Sequence, residues 1–186
     1  DRDAIKHTYS RVRMGTQVSR RDALHLALMS SENRMASALA RHYPGGRPAF
    51  VRAMNNKAKQ LGMRNSRFYD STGLSTRNVS TARDLAKLIA AAYRQPLIRQ
   101  FTQDTNKEMR FSTPAYSLMF NNTNPLVKNP DWDVRLSKTG YTDEAGRCLL
   151  MRAKPDSQEL AIVLLNSVGK RTPVGDANRI RKWLKS

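Results

Sequence analysis

The residues best suited to chemistry in this sequence are Lys138, Thr139 and Gly140, followed by Tyr141. A lysine supplies a fixed positive charge and a threonine a hydroxyl, while a glycine lets a second backbone come close because it has no side chain. Together they form a compact device for handling an anion. Far upstream, Ser31-Glu32-Asn33 places two more polar groups, Ser31 and Asn33, between two strongly apolar stretches. A polar triplet at such a junction either caps the second stretch as a helix or faces a cleft. Neither short pattern specifies a reaction alone, and Lys138 taken by itself also reads as a solvated charge at a strand end.

Periodicity supplies the elements that must position these groups. Ser19 reads as an N-cap, with Asp22 three residues on as the acid of a capping box. Leu24, Leu26, Ala27 and Leu28 follow as an apolar helix to about Ser30, and the pattern resumes at Met35, Ala36, Leu39 and Ala40 until Pro44-Gly45-Gly46. Before it, residues 1–18 are polar, with Tyr9, Val12, Met14 and Val18 as anchors. Pro48 to Leu61 reads as an amphipathic helix with Phe50, Val51, Met54, Ala58 and Leu61 inward, stopped at Gly62. A loop over 63–79 holds Phe68, Thr72-Gly73-Leu74 and Asn78. Ser80 or Thr81 then caps a helix carrying Leu85, Leu88, Ile89 and Ala92. Pro96 opens a short segment with Leu97, Ile98 and Phe101, and residues 103–131 read mostly as loop.

The composition then turns to strands. Val134-Arg135-Leu136 leads into Lys138, Cys148 to Ala153 forms a second strand, and Leu160 to Leu165 a third after the turn Lys154-Pro155-Asp156-Ser157. This is a three-stranded antiparallel meander. A last helix from Asp176 puts Ile180, Trp183 and Leu184 on one face, which is expected to pack on the sheet, and Arg179, Arg181, Lys182 and Lys185 on the other. The fold class is α+β, a helical lobe beside an antiparallel sheet, with no repeat or linker dividing it.

Lysine and arginine total 33 against 15 acids, a net charge of +18 over 186 residues. Such a field favours polyanions: nucleic acid, anionic lipid surfaces or an acidic wall polymer. The arginines are spread along the whole chain rather than gathered in a block, which weakens the nucleic-acid alternative. Cys148 is the only cysteine, so no internal disulfide forms, and it reads as a small core residue. His7, His25 and His42 show no metal-ligand spacing and read as structural. No metal or cofactor is expected, and no apolar run approaches a membrane span.

Ser-x-Asn at a helix junction followed much later by Lys-Thr-Gly on a strand is the order shared by serine β-lactamases and penicillin-binding proteins. His25 to Gly46, the loop from Phe68 to Asn78, Asn122-Thr123-Asn124 and Lys138 to Gly146 resemble the low-molecular-mass penicillin-binding proteins, and within them the D-alanyl-D-alanine endopeptidase branch. The resemblance covers essentially the whole chain and implies the penicillin-binding transpeptidase or β-lactamase-like fold. One motif of that family is missing. Its nucleophile lies in a Ser-x-x-Lys upstream of Ser-x-Asn, whereas the sole match here, Ser167-Val168-Gly169-Lys170, lies after Lys138 and reads as coincidence. The expectation is therefore that residues 1–186 are the C-terminal major part of one peptidase domain. The signal peptide, first strands and nucleophile helix would lie on a preceding segment, and the protein would be periplasmic.

The resemblance implies roles residue by residue. Ser31 relays a proton to the leaving amine, and Asn33 orients the substrate amide and the nucleophile's lysine. Lys138 supplies positive charge, Thr139 holds a carboxylate, Gly140 admits the substrate backbone, and the Tyr141 backbone N–H is half of an oxyanion hole. The implied partners are peptidoglycan peptides and β-lactams rather than nucleic acid, and the basic last helix allows peripheral contact with the wall or a membrane surface. No Glu-x-x-Asn stands ready to speed deacylation, which favours a peptidase over a β-lactamase. A binding module without a nucleophile is the alternative.

Overall fold

The computed structural model describes residues 8–186; Asp1 to His7, and with them the reading of His7, lie outside the described residues. Among the described residues six α-helices, α1 (Arg20–Met29), α2 (Asn33–Arg41), α3 (Gly46–Gln60), α4 (Ala82–Tyr93), α5 (Pro96–Gln103) and α6 (Thr172–Trp183), are joined by two antiparallel sheets. One sheet is the expected meander of β3 (Val134–Thr142), β4 (Gly146–Ala153) and β5 (Leu160–Ser167). The other is a hairpin of β1 (Asn106–Ser112) and β2 (Ala115–Asn121). The α+β class and the helical lobe beside a sheet hold.

The hairpin corrects the reading of 103–131 as mostly loop. Its inward residues Met109, Phe111 and Phe120 do alternate, but with charged and polar neighbours that lower the local hydropathy. These three rings and chains cover Leu26, Met29 and Met35 in the helical core. Val12 closes the same core and Val18 packs against it, whereas Tyr9 and Met14 are exposed.

A ring of side chains fixes α1 to α5 and the hairpin. His25 is buried and stacks on Phe101 with ring centroids 4.2 Å apart. The Asp104 carboxylate lies 2.9 Å from its Nε2, and Lys107 bridges its Nδ1 to Asp22. Burial first, and then the Lys107 charge, hold the His25 imidazole below its ordinary pKa. The 63–79 loop is tied to α4 by Asp84, which is 1% exposed and accepts from the Asn65 N–H and the Ser66 hydroxyl. Those bonds and Lys87 hold the Asp84 carboxyl below the usual range against the opposing pull of burial, which is the largest single influence.

The second core lies between the meander and α6. Trp132 is 0% exposed, and its Nε1 donates to Asn178 of α6 at 3.1 Å. Leu149, Met151, Ile162 and Ala177 pack around it, with Val174 and Ile180 at the margin. The last helix begins at Thr172, ahead of the expected Asp176, and Trp183 is 73% exposed instead of packed on the sheet. The inward face is Val174, Ala177 and Ile180, one turn apart, and Trp183 lies at the solvent end. Cys148 is likewise not in the core: it is half-buried on β4.

Trp132→Ala should destabilise the protein by about 3–5 kcal/mol, a large share of a typical total of about 5–15 kcal/mol; urea unfolding measures it. Asp156 accepts from Arg181 and Lys185 of the C-terminal helix region, and these bonds hold its carboxyl well below 3.8. A depressed carboxylate stabilises the fold above its unfolded pKa and loses that contribution as pH falls through the folded value. Stability should therefore decline below pH 3.8, and Asp156→Asn should flatten that part of the curve in acid titration.

Candidate active site

The Ser31-Glu32-Asn33 junction is both a cap and a cleft wall. The α1 helix ends with the Ser30 N–H on the Leu26 carbonyl, and the Glu32 N–H reaches the same carbonyl at 3.2 Å. Between them Ser31 takes φ +58°, the left-handed region where glycine is the usual residue. Glu32 turns inward, and its carboxylate accepts from the Met35 N–H at 2.9 Å, capping α2. With the backbone reversed and Glu32 used as the cap, Ser31 and Asn33 are left on the wall of a cleft.

The opposite wall is β3. Lys138 pairs with Leu150 in the middle of a strand that continues to Thr142, so it is not a strand-end charge. Its Nζ donates to the Ser31 hydroxyl, a contact across 107 residues, and to the Thr139 carbonyl at 2.6 Å. Burial pushes the Lys138 ammonium down from 10.5 to about 8. Among the described residues no carboxylate offsets that burial: the only acid of theirs lining the cleft is Glu32, already committed to the helix cap. The Thr139 hydroxyl donates to the Thr123 hydroxyl at 2.6 Å, and the Thr123 N–H donates to the Met29 carbonyl at 3.2 Å. Thr123 is thus a strut from α1 to β3.

Gly140 is exposed on β3, and a Cβ there would meet Cys148 at an ordinary 3.9 Å. Its own fold therefore leaves room for a side chain, and the bareness serves what approaches from the cleft. Tyr141 is 53% exposed; its hydroxyl donates to Asp143 and its ring carries the Arg147 guanidinium at 4.1 Å. The acceptor Asp143 raises the Tyr141 pKa, so the phenol stays neutral.

All six residues expected from the sequence, Ser31, Asn33, Lys138, Thr139, Gly140 and Tyr141, line one cleft of about 1160 Å³. Sequence reasoning missed part of the wall. Thr123 was legible only within the Asn122-Thr123-Asn124 resemblance, which assigned it no role, and Asn122 fixes the segment by donating to the Thr102 and Asp104 carbonyls. Ser71, Thr72 and Gly73 also reach the cleft, from a loop that Asp70 holds by accepting from the Thr72 and Gly73 N–H groups. Arg147, Lys170 and Arg171 add positive charge, though their scattered positions gave no signal. Ser167 is buried and is not on the cleft wall, so the stray Ser-x-x-Lys brings only its lysine there. Among the described residues no group of side chains is arranged to hold a metal ion, and no helix is long and apolar enough to cross a membrane.

The arrangement can polarise a carbonyl, hold a carboxylate and pass a proton through a hydroxyl. The chain as a whole is similar to known proteins. The chain is 51% identical over 182 residues to the D-alanyl-D-alanine endopeptidase of Escherichia coli K12, covering 98% of this chain and 59% of that protein. It is 50% identical to the D-alanyl-D-alanine endopeptidase of Pseudomonas aeruginosa with the same coverage. The chain therefore spans about three fifths of the length of these relatives. Among solved structures, the Streptomyces K15 DD-transpeptidase matches with a TM-score of 0.84 at 26% identity, over 93% of this chain and 70% of that one. Penicillin-binding protein D2 of Listeria monocytogenes, in its cefotaxime-bound form, matches with a TM-score of 0.76 at 26% identity, over 89% of this chain and 66% of that one. The family model for D-alanyl-D-alanine carboxypeptidase matches residues 1–169. The chain belongs to that family, the S11 peptidases.

Proposed function

We propose that this chain is part of a serine D,D-peptidase that cuts D-Ala-containing cross-links of peptidoglycan through an acyl-enzyme, and that β-lactams occupy the same cleft. The observation that carries the reading is the contact of Lys138 with Ser31 beneath an open, glycine-bearing strand edge. A cation pressed against a hydroxyl lowers the cost of moving a proton through it. The endopeptidase relatives point to an internal cross-link rather than a chain end.

In this mechanism a seryl hydroxyl from a segment of the full-length protein outside this chain gives its proton to its neighbouring lysine and attacks the D-Ala carbonyl. The C–N bond breaks, and Ser31 passes a proton to the departing amine while Lys138 steadies the negative charge that passes through the relay. Asn33 holds the substrate amide. Thr139 meets a carboxylate, and the substrate lies along β3 at Gly140 as an added strand. The Tyr141 N–H donates to the oxyanion, the nucleophile's own N–H being its partner. Water then hydrolyses the ester and restores the serine. The cleft exceeds the roughly 300–1,000 Å³ of ordinary ligand sites, and Leu24, Leu28, Phe50 and Val174 give it an apolar flank suited to the segment bearing the nucleophile. A periplasmic location fits a wall substrate.

Lys138→Ala in the full-length protein should lower kcat/KM for a D-Ala-D-Ala peptide by at least roughly 100-fold, the scale of losing one transition-state contact, with the circular dichroism spectrum retained. Turnover at the wild-type rate would remove Lys138 from the site. Mass spectrometry of the full-length protein with benzylpenicillin should show one covalent adduct, outside residues 1–186. The same experiment on this chain alone should show none. An adduct on Ser31 or Ser167 would mean that the nucleophile lies in this chain, and no adduct on the full-length protein would favour a binding module.

A further inference from the structure

A second concavity, of about 840 Å³, lies between the 12–18 segment and α2. Its walls carry Arg13, Arg20, Arg34, Arg41 and His42, and among the described residues no aspartate or glutamate lines it. Two of the arginines are held in position. The Arg13 guanidinium sits 4.6 Å over the Tyr116 ring while its backbone N–H donates to the Tyr116 hydroxyl at 3.0 Å. Arg34 donates to the Val12 carbonyl at 2.7 Å, joining the two walls of the groove. Among the described residues no ion pair engages Arg13 or Arg20.

We propose that this groove is a second, non-catalytic binding site for a carboxylate-bearing chain, namely the uncut peptide stems of the polymer whose cross-link enters the cleft. The identity of the ligand rests on the proposed peptidase function; the anion site rests on the groove alone. Guanidinium groups meet carboxylates through paired N–H donors, and held guanidiniums lose little freedom in doing so. Val12, Met35 and Leu39 give an apolar floor that accepts the aliphatic part of a peptide. No phenylalanine, tyrosine or tryptophan lines the groove to stack a nucleic-acid base. Leu39 of α2 lines both this groove and the cleft, so one helix separates the two sites. A polymer held at one would present its neighbouring stems to the other, raising their effective concentration.

The test is binding of fluorescent poly-L-glutamate, a soluble carboxylate chain, to the full-length protein as salt is varied, beside the double variant Arg13→Glu with Arg20→Glu. Both positions are exposed, and an acid in the first turn of α1 favours the helix dipole, so the variant should melt as the wild type does. The expected result is binding weakened by about tenfold with a shallower salt dependence, while hydrolysis of a small soluble D-Ala-D-Ala peptide is unchanged. Equal affinity of the two proteins would overturn the proposal. So would tighter, variant-sensitive binding of duplex DNA or polyphosphate, which would assign the groove to a phosphate polymer. If the wild type fails to hydrolyse the small peptide but the variant still loses poly-L-glutamate, the peptidase reading falls and the anion groove stands.

Discussion

The contact between Lys138 and Ser31 is the point on which the two halves of the molecule converge. It joins the end of α1 to the middle of β3 across 107 residues, and each side is built to hold it. On the helical side the left-handed turn at Ser31 is held by the Glu32 cap and the shared Leu26 carbonyl. On the sheet side β4 pins β3 on one edge, leaving the other edge free beside Gly140. Thr123 closes the triangle by touching both walls.

The chemistry of the site follows from what surrounds that lysine. A half-buried ammonium with no carboxylate beside it is costly in its charged form, and its pKa falls accordingly. Such a lysine is closer to neutrality than an ordinary one and exchanges protons readily near physiological pH. An anion arriving in the cleft supplies the missing counter-charge. The wall thus has an unmet electrostatic demand that a substrate carboxylate or an oxyanion satisfies, and this is a form of preorganisation. Arg147, Lys170 and Arg171 extend the same sign along the cleft.

Much of this was legible in the sequence because local rules and global fold agree. Ser19 caps α1 and Thr81 caps α4 through their side-chain oxygens, as their positions imply. The meander followed from runs of apolar residues between turn formers. The hairpin was not legible, because Lys107, Glu108 and Arg110 break the apolar signal of β1, where only Met109 and Phe111 are buried. Asp84 gave no warning either, since a buried carboxylate looks like any surface acid until its partners at Asn65 and Ser66 are brought to it by the fold. For the site, Lys138 and Ser31 were found by type and order, but their half-buried environment depends on packing from distant segments. Thr123 and the 71–73 loop lie in stretches that carry the family resemblance, but only tertiary geometry gives them a place on the cleft wall.

The chemistry of the cleft turns on the state of one side chain. Nuclear magnetic resonance of ¹⁵N-labelled lysine, with Lys138 assigned by comparison with Lys138→Arg, follows its Nζ through a pH titration. A midpoint lowered from 10.5 to about 8 is the expected result, because burial disfavours the charged ammonium. A midpoint at the ordinary 10.5 would mean a solvated surface lysine and would contradict the account.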